Sequence, residues 1–423
     1  MISKIKKRIY FLVAGYFWLW AAAVLDRWQP EIIVVTGSNG KTTLLNLLES
    51  QLKEDARYTH KANSAFGIAF NILGLERKNL QPSEWFMLFL KAPIAAFTHT
   101  PKQKIYIVEA DADRPREASF IAKKLRPDIT LWVSSDRTHS MNYDKLVVRG
   151  GAASVDEAIA QEFSQFARNT TELVLVKDQP SMLEQLKEIE AAVKPVSMDS
   201  LKSYKLLKQS TEYTTKKGNK YTVPAILPEV AFMQVAMSHM LMKYLKHNFD
   251  PSFSGYMQPP GRSSVFSGVK NSILFDSSYN SNLASVTEVI KTFALYPGKV
   301  KWLIIGDMIE QGNSEAEEHK KLAKVISKLE FDRIIFVGPR VGRYTKPALL
   351  KLRTDIIQAA FDQPKQALDY IKQEIEGDEV LFFKGARWLE GIIANLLEDP
   401  SDRDKLCRRE EKYQEYREVQ KVG

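Results

Sequence analysis

The sequence predicts an α/β protein with mainly parallel sheets flanked by helices, arranged as two sheet-bearing domains behind an apolar N-terminal helix. Three observations carry that prediction. From Glu31 onward, β-branched and aromatic runs (IIVVTG, IYIVEA, ITLWVS, LVLVKD, ILFDS, WLIIG, RIIFVG, VLFFKG) alternate with segments of helical period, the pattern of parallel strands joined by crossover helices. The first of these runs opens into a glycine-rich turn and an amphipathic helix, residues 36–52. A Pro, Gly and Ser cluster, DPSFSGYMQPPGRSS at 250–264, then interrupts the chain, as a linker does. The 423 residues, 44% of them hydrophobic, suffice for two or three cores of about 150 residues each. Global disorder, a collagen-like fibre and a disulfide-stapled scaffold are excluded.

Taken in order, the first segment differs from everything after it. Ile9 to Leu25 (IYFLVAGYFWLWAAAVL) is uncharged, preceded by Lys4, Lys6, Lys7 and Arg8 and followed by Asp26 and Arg27. Its seventeen residues are at the lower limit for crossing a bilayer. A basic start, an apolar middle and Ala21-Ala22-Ala23 also fit a secretory signal, but the phosphate-loop sequence begins just beyond, and nucleotide chemistry belongs in the cytosol. The basic cluster would hold the N-terminus inside and place the body outside, a conflict for a spanning anchor. Three readings stay open: an N-out anchor, an interfacial helix in the inner leaflet, and a helix packed on its own domain. The leading expectation is a cytoplasmic protein attached through residues 9–25 to the cytoplasmic face of the membrane.

The expected domains are 1–30, the apolar helix; 31–255, the phosphate-binding domain; and 256–423, a second α/β unit. Between about Met182 and Pro228 the Lys- and Thr-rich text (KSYKLLKQSTEYTTKKGNKYTV) suggests a small antiparallel excursion within the first domain. The charged end, SDRDKLCRREEKYQEYREVQKVG, reads as a solvated helix. Lys and Arg outnumber Asp and Glu 60 to 51, giving +9, but charged residues of mixed sign make up an ordinary 26% of the chain, so no nucleic-acid partner is expected. The single cysteine, Cys407, permits neither an intramolecular disulfide nor a Cys-based zinc site.

The strongest chemical signal is IIVVTGSNGKTTLLNLLESQL, residues 32–52. A β-branched strand runs into Thr36-Gly37-Ser38-Asn39-Gly40-Lys41-Thr42-Thr43 and then a helix, the order that lets backbone N–H groups and a helix N-terminus bind a phosphate. Lys41 is placed to bridge β and γ phosphates and the Thr42 hydroxyl to ligate Mg2+. Val35 stands where the strict Walker pattern has its first glycine. A Gly-Lys-Thr in an unrelated loop is the plain alternative, which the flanking strand and helix oppose.

With its shortened TGxNGKT loop the chain resembles the Mur ligases, and the resemblance continues to about residue 398. Asn63-Ser64-Ala65-Phe66-Gly67-Ile68 looks like the family's segment after the first helix, Glu109 in IYIVEA like its magnesium-binding glutamate, and His139 like its second metal-proximal histidine. Gly261-Arg262, LFDSSYNSN with Asp276, Tyr279, Asn280 and Asn282, the Gly306–Gly312 segment GDMIEQG, and Lys384-Gly385-Ala386-Arg387 follow in order. These look most like the branch that adds D-alanyl-D-alanine to a UDP-muramoyl tripeptide.

The resemblance implies a P-loop central domain followed by a Rossmann-like C-terminal domain. It also implies an ATP-dependent amide ligase in peptidoglycan precursor synthesis, acting on a small carboxylate and an amine or short peptide. ATP phosphorylates the carboxylate to an acyl phosphate, which the amine attacks. On that reading Lys41, His139 and Arg262 are catalytic. Gly37, Asn39, Gly40, Lys41, Thr42, Thr43, Arg262, Asp276 and Asn280 hold the nucleotide, while Thr42, Glu109 and His139 serve Mg2+. Asn63, Lys384 and Arg387 line the substrate cleft, and the site is complete only when the C-terminal domain closes. Read by themselves, Glu109 is a strand-end carboxylate, His139 a surface histidine, Asp276 and Asn280 turn formers, and Lys384 and Arg387 surface charges.

Several positions depart from the family pattern. Phe163 stands where many members carry a carbamylated, metal-bridging lysine, and Gln234 is the nearest counterpart of an adenine-contacting asparagine. Ser277 and Leu283 replace the usual second acid and proline. The apolar segment stands where the family has its UDP-gripping N-terminal domain, so the carboxylate substrate is expected to be held in another way. Two alternatives remain: a ligase like the poly-γ-glutamate synthases, which share the apolar N-terminal segment, and a catalytically weakened nucleotide-binding scaffold.

Overall fold

The computed structural model describes residues 2–60, 62–77, 82–187, 189–385, 388–409, 413, 418 and 419. The chain forms two compact units. Unit 1 gathers Met1–Asp136, Lys145–Met198 and Met233–Phe249; unit 2 gathers Arg137–Asp144, Asp199–Phe232 and Asp250–Gly423.

Unit 1 begins with helix α1 (Ile2–Trp28). Ala14, Phe17, Trp18, Ala21 and Val24 recur at helical spacing and are fully buried, a stripe each of whose large members stabilises the packing by about 1.5–3 kcal/mol. Strand β1 (Glu31–Thr36) leads through the glycine-rich turn into α2 (Lys41–Leu52). Then come β2 (Ala56–Tyr58), α3 (Ala65–Leu73), α4 (Pro82–Thr98), β3 (Ile105–Ala110), β4 (Ile129–Trp132), β5 (Leu173–Lys177) and β6 (Ala192–Val196). The six strands form one parallel sheet in the order β2-β3-β1-β4-β5-β6. Helix α1 packs on α3 and α4, and Trp18 Nε1 donates to the Ala65 carbonyl at 2.7 Å. The core under α2 joins Ile33, Val35, Ile107 and Leu131 to Leu44, Leu45 and Leu48.

This strand order positions the site. From β1 the chain first adds β3 on one side and then β4 on the other. The carboxyl end of β1 is therefore the switch point at which open α/β sheets bind ligands. The register puts Val35 beside Glu109, and Thr36 beside both Ala110 and Trp132, so the ends of three strands meet at the glycine-rich turn.

Unit 2 contains an antiparallel three-stranded sheet, β7 (Leu201–Leu206), β8 (Thr211–Thr215) and β9 (Lys220–Val223). Its main sheet comprises β10 (Ser264–Ser267), β11 (Ile273–Ser277), β12 (Lys301–Gly306), β13 (Arg333–Val337), β14 (Ile357–Phe361) and β15 (Val380–Lys384). The order is β10-β11-β15-β12-β13-β14, parallel except for the edge strand β10. Apolar cores line both faces, one around Phe275, Phe293, Phe336 and Phe382, the other around Ile304, Ile335, Phe383 and Ile392.

All eight apolar runs are strands. Four further strands of the main sheets were not predicted. Strand β2 is three residues long, β6 carries Pro195 and three exposed positions, and β10 and β14 are edges with little buried surface, so none shows a clear apolar period. The antiparallel excursion groups with unit 2 rather than with the first domain, because Leu206 and Ile226 pack on the Phe275 core and Tyr296 Oη donates to the Lys208 carbonyl at 3.1 Å. The expected division at 255/256 is thus replaced by a discontinuous one. The charged end was expected as a solvated helix; Pro400–Lys405 is instead a 3-10 turn, and Cys407 after it is buried. Most of the tail beyond Arg409 lies outside the described residues.

Candidate functional site

In unit 1 the loop after β1 is shaped by two glycines in the left-handed region, Gly37 (φ +127°) and Gly40 (φ +83°). A Cβ on Gly37 would stand 2.6 Å from the Ser134 carbonyl oxygen, and one on Gly40 would stand 2.2 Å from Gln234 Nε2. Only glycine fits both places. The Ser38 N–H donates to the Ser134 carbonyl at 3.1 Å, the Asn39 N–H to Ser134 Oγ at 2.8 Å, and Asn39 Nδ2 to Asp136 at 3.1 Å. The Asn39 side chain thus holds the loop in shape. Helix α2 starts at Lys41 with no side chain capping it, which leaves its first N–H groups directed at whatever anion the loop cradles.

Lys41 is buried, donates from Nζ to the Gly37 carbonyl at 2.5 Å and pairs with Asp111 at 3.0 Å. Thr42 Oγ1 donates to Glu109 Oε1 at 3.2 Å, and Thr43 follows in the same turn. A hydroxyl and a carboxylate this close, next to a lysine at a helix N-terminus, are the hard-oxygen donors that Mg2+ takes alongside nucleotide phosphates. These residues fit the ion. Asn63 joins the group through its carbonyl, which accepts from the Asp111 N–H at 2.9 Å, and through Nδ2, 3.5 Å from Asp111. Phe163 is fully buried and lies with its ring 5.8 Å from Lys41 Nζ. An aromatic ring therefore stands beside Lys41 where the resemblance implied a carbamylated lysine, and it supplies no metal ligand.

His139 belongs to unit 2 by its contacts, with Nδ1 2.8 Å from Glu310 Oε2. The same segment is tied at Arg137 to Ser314 and at Asp144 to the Asn313 N–H.

The second cluster of unit 2 lies at the ends of β11 and β15, which the register Asp276–Phe383 and Ser277–Lys384 brings side by side. Asp276 is fully buried. Its Oδ1 accepts from the Ser278 N–H and hydroxyl at 2.9 and 2.6 Å, while its Oδ2 is a buried atom with no partner among the described residues. Burial raises its pKa. Lys384 Nζ donates to the Asn280 carbonyl at 2.6 Å, and burial, reinforced by Arg262, pushes its pKa down to about 7. Arg262 stacks 4.5 Å over the Tyr279 ring. It can do so because Gly261 (φ +71°) lets the chain run against Tyr279 and Cys407, where a Cβ would meet both at 3.0 Å. Asn280 is exposed and its Oδ1 accepts from the Ser281 N–H at 2.8 Å, the turn-forming contact. Asn282 caps the helix Leu283–Leu295. Arg387 lies outside the described residues.

Four participants carried no role in the sequence reading. Asp111 holds Lys41, and Glu310 holds His139. Glu390 is fully buried with its pKa raised by burial. Arg408 donates to the Ser278 carbonyl at 3.1 Å and to the Tyr279 carbonyl. The signal for Glu310 was its place inside a quoted motif and for Asp111 its place directly after one; Glu390 and Arg408 had none.

A switch-point glycine loop with a Thr–Glu donor pair in one α/β unit and buried ionisable groups at strand ends in the other define a P-loop-type phosphate-binding protein. The chain matches the family "Mur ligase, glutamate ligase domain" over residues 261–387. It is 22% identical over 396 residues to the UDP-N-acetylmuramoyl-tripeptide–D-alanyl-D-alanine ligase of Bacillus subtilis, covering 90% of this chain and 79% of that protein. Among solved structures, MurF from Acinetobacter baumannii superposes with a TM-score of 0.72 at 20% identity, covering 90% of this chain and 80% of the other. MurF ligase from Thermotoga maritima in complex with ADP gives 0.69 at 18% identity, covering 88% and 80%. The α/β fold, with its parallel sheets and flanking helices, is that of these ligases.

Proposed function

We propose that the protein is an ATP-dependent carboxylate–amine ligase of peptidoglycan precursor synthesis, similar to the ligases that join D-alanyl-D-alanine to a UDP-muramoyl tripeptide. The observation that carries this reading is the grouping of Lys41, Thr42 and Glu109 at the switch point of a chain that matches such ligases along most of its length. A carboxylate oxygen of the first substrate attacks the γ-phosphorus of ATP and ADP leaves. The amine of the second substrate then attacks the acyl carbon, inorganic phosphate departs and the amine gives up a proton. Lys41 turns from Gly37 and Asp111 to the transferring phosphoryl group and offsets its charge. Thr42 and Glu109 would hold Mg2+, which when bound screens the phosphate oxygens. His139 with its partner Glu310, together with Arg262 and Asp276, are the candidate charged groups of unit 2, while Asn63 and Lys384 are candidates for substrate contact. The protein acts in the cytoplasm, where ATP is held. Attachment to a membrane rests on a separate observation, the outer surface of α1 and α4.

One observation favours a second reading. Phe163 beside Lys41 removes a metal-bridging group and suits a weakened nucleotide-binding scaffold. Purified protein with Mg-ATP, UDP-muramoyl tripeptide and D-alanyl-D-alanine, each omitted in turn, separates the two. Phosphate release that needs both substrates, yields the pentapeptide mass and falls about a hundred- to a thousandfold in Lys41→Ala is the expected result. Binding of ATP without turnover would favour the scaffold.

A further inference from the structure

Unit 1 carries a broad apolar surface that its own elements leave uncovered. On α1, Leu12 and Leu19 are 74% and 62% exposed, and on α4, Phe86, Leu90, Ile94 and Phe97 are 64%, 51%, 63% and 75% exposed. The α4 residues recur at intervals of four, four and three, one stripe of a helix. The two helices adjoin: Tyr16 Oη donates to the Phe89 carbonyl at 2.8 Å, and the Trp20 and Phe97 rings lie 6.4 Å apart. Isolated exposed leucines need no explanation, but a continuous two-helix face marks a docking surface.

Charge decides what docks. The start of α1 carries Lys4, Lys6, Lys7 and Arg8, and no acidic residue occurs from Ile2 to Leu25. Lys91 is exposed on α4, where Glu84 is the single acid. Apolar stripes beside cations and ring-bearing residues are the composition of a helix lying in a membrane interface. Crossing the bilayer is a different matter. Although Ile9–Trp28 is long and apolar enough (mean hydropathy 1.6), its inner face is committed to protein. Phe17 and Trp18 are fully buried, Trp18 is hydrogen-bonded to the Ala65 carbonyl, and Tyr10 Oη is bonded to Glu117 at 2.5 Å. Surrounding α1 with lipid would undo all of these contacts.

We infer that the outer face of α1 and α4 is a monotopic docking surface for an anionic lipid bilayer. The apolar stripes enter the acyl boundary with the exposed Lys91 among phosphate headgroups, and the basic sequence before residue 9 favours an anionic surface. This is independent of the ligase reading, since none of these residues belongs to the phosphate loop.

The test is flotation of the full chain with vesicles of phosphatidylcholine alone and of phosphatidylcholine with phosphatidylglycerol. Binding to the anionic vesicles that weakens with added salt is expected, together with a loss of about tenfold or more in the bound fraction for the double variant Leu90→Glu, Phe97→Glu. That variant should keep its melting temperature and ATP binding, because both side chains are exposed. Leu295→Glu, at an exposed leucine of unit 2, serves as the control and should float as the parent does. The inference is overturned if the parent chain ignores anionic vesicles, or if the double variant floats as well as the parent. It is equally overturned if light scattering shows a dimer that the double variant dissolves while vesicles are not bound, since the face would then belong to a second copy.

Discussion

The two candidate sites are built from opposite materials. In unit 1 the phosphate cradle is backbone: two left-handed glycines, the N–H groups of Ser38 and Asn39 held against Ser134, and the open N-terminus of α2. In unit 2 the site is a set of buried ionisable side chains, Asp276, Lys384 and Glu390, whose protonation is moved by burial. A cradle of backbone is broken by shape, whereas a cluster of buried charges is also broken by protonation. Substitutions can therefore break the two in different ways.

The first contrast tests Thr42 and Glu109 as a metal pair. Glu109→Gln keeps the shape of the loop but removes the anionic ligand. The Mg2+ concentration for half-maximal phosphate release should rise at least about tenfold, with little change in melting temperature. An unchanged Mg2+ dependence would mean that Glu109 only anchors Thr42. Next comes backbone shape. Gly37→Ala drives a Cβ onto the backbone of Ser134, whereas Gly40→Ala drives one onto the side chains of Gln234 and Val133. Gly37→Ala should cost about 1–3 kcal/mol of stability and abolish ATP binding. Gly40→Ala should cost less, and Gln234→Ala should partly rescue it, as chemical denaturation and nucleotide titration would show.

Protonation gives the third contrast. The Lys384 pKa is depressed to about 7 in the fold against about 10.4 in the unfolded chain. The unfolded state thus holds more protons between those values, so stability contributed by Lys384 grows as pH rises from about 7 and is lost as pH falls through it. Lys384→Met should flatten the change in unfolding free energy between neutral and alkaline pH. Asp276 has the opposite sign: its raised pKa makes its contribution fall as pH rises through the folded value, and Asp276→Asn should remove that fall. The smallest effect is expected for Arg408→Ala, which takes two backbone hydrogen bonds from the Ser278–Tyr279 turn. A loss of about 1–3 kcal/mol, read in thermal unfolding, would mark it as a positioning residue. No loss would place the tail outside the site.

The same contrast explains what the sequence disclosed. Lys41, Thr42 and the two loop glycines were legible because a backbone cradle requires fixed residue types at fixed spacing, and the eight buried strands were legible because their apolar runs are continuous. Asp276 and Lys384 were visible through their motifs, but their perturbed protonation was not, since it arises from burial. Glu390 and Arg408 come from a short helix and the tail, and three-dimensional packing alone brings Arg408 to Tyr279 and Glu390 to Arg408. The pairing of His139 with Glu310, residues 171 apart in sequence, likewise has no local signature. The apolar helix was correctly seen as unusual, but which of its faces is buried depends on α3 and α4, elements whose own positions the sequence does not state.

The chain passes between the two units five times, at 136/137, 144/145, 198/199, 232/233 and 249/250. During synthesis this imposes an order. The glycine-rich loop is synthesised within the first fifty residues, yet unit 1 lacks Gln234 and the rest of its core until residue 249 has emerged. For most of that time the apolar strands β1, β3 and β4 are present without their full cover. A nascent chain arrested shortly before residue 233 should engage folding chaperones and fail to retain nucleotide, although every residue of its phosphate loop is already in place.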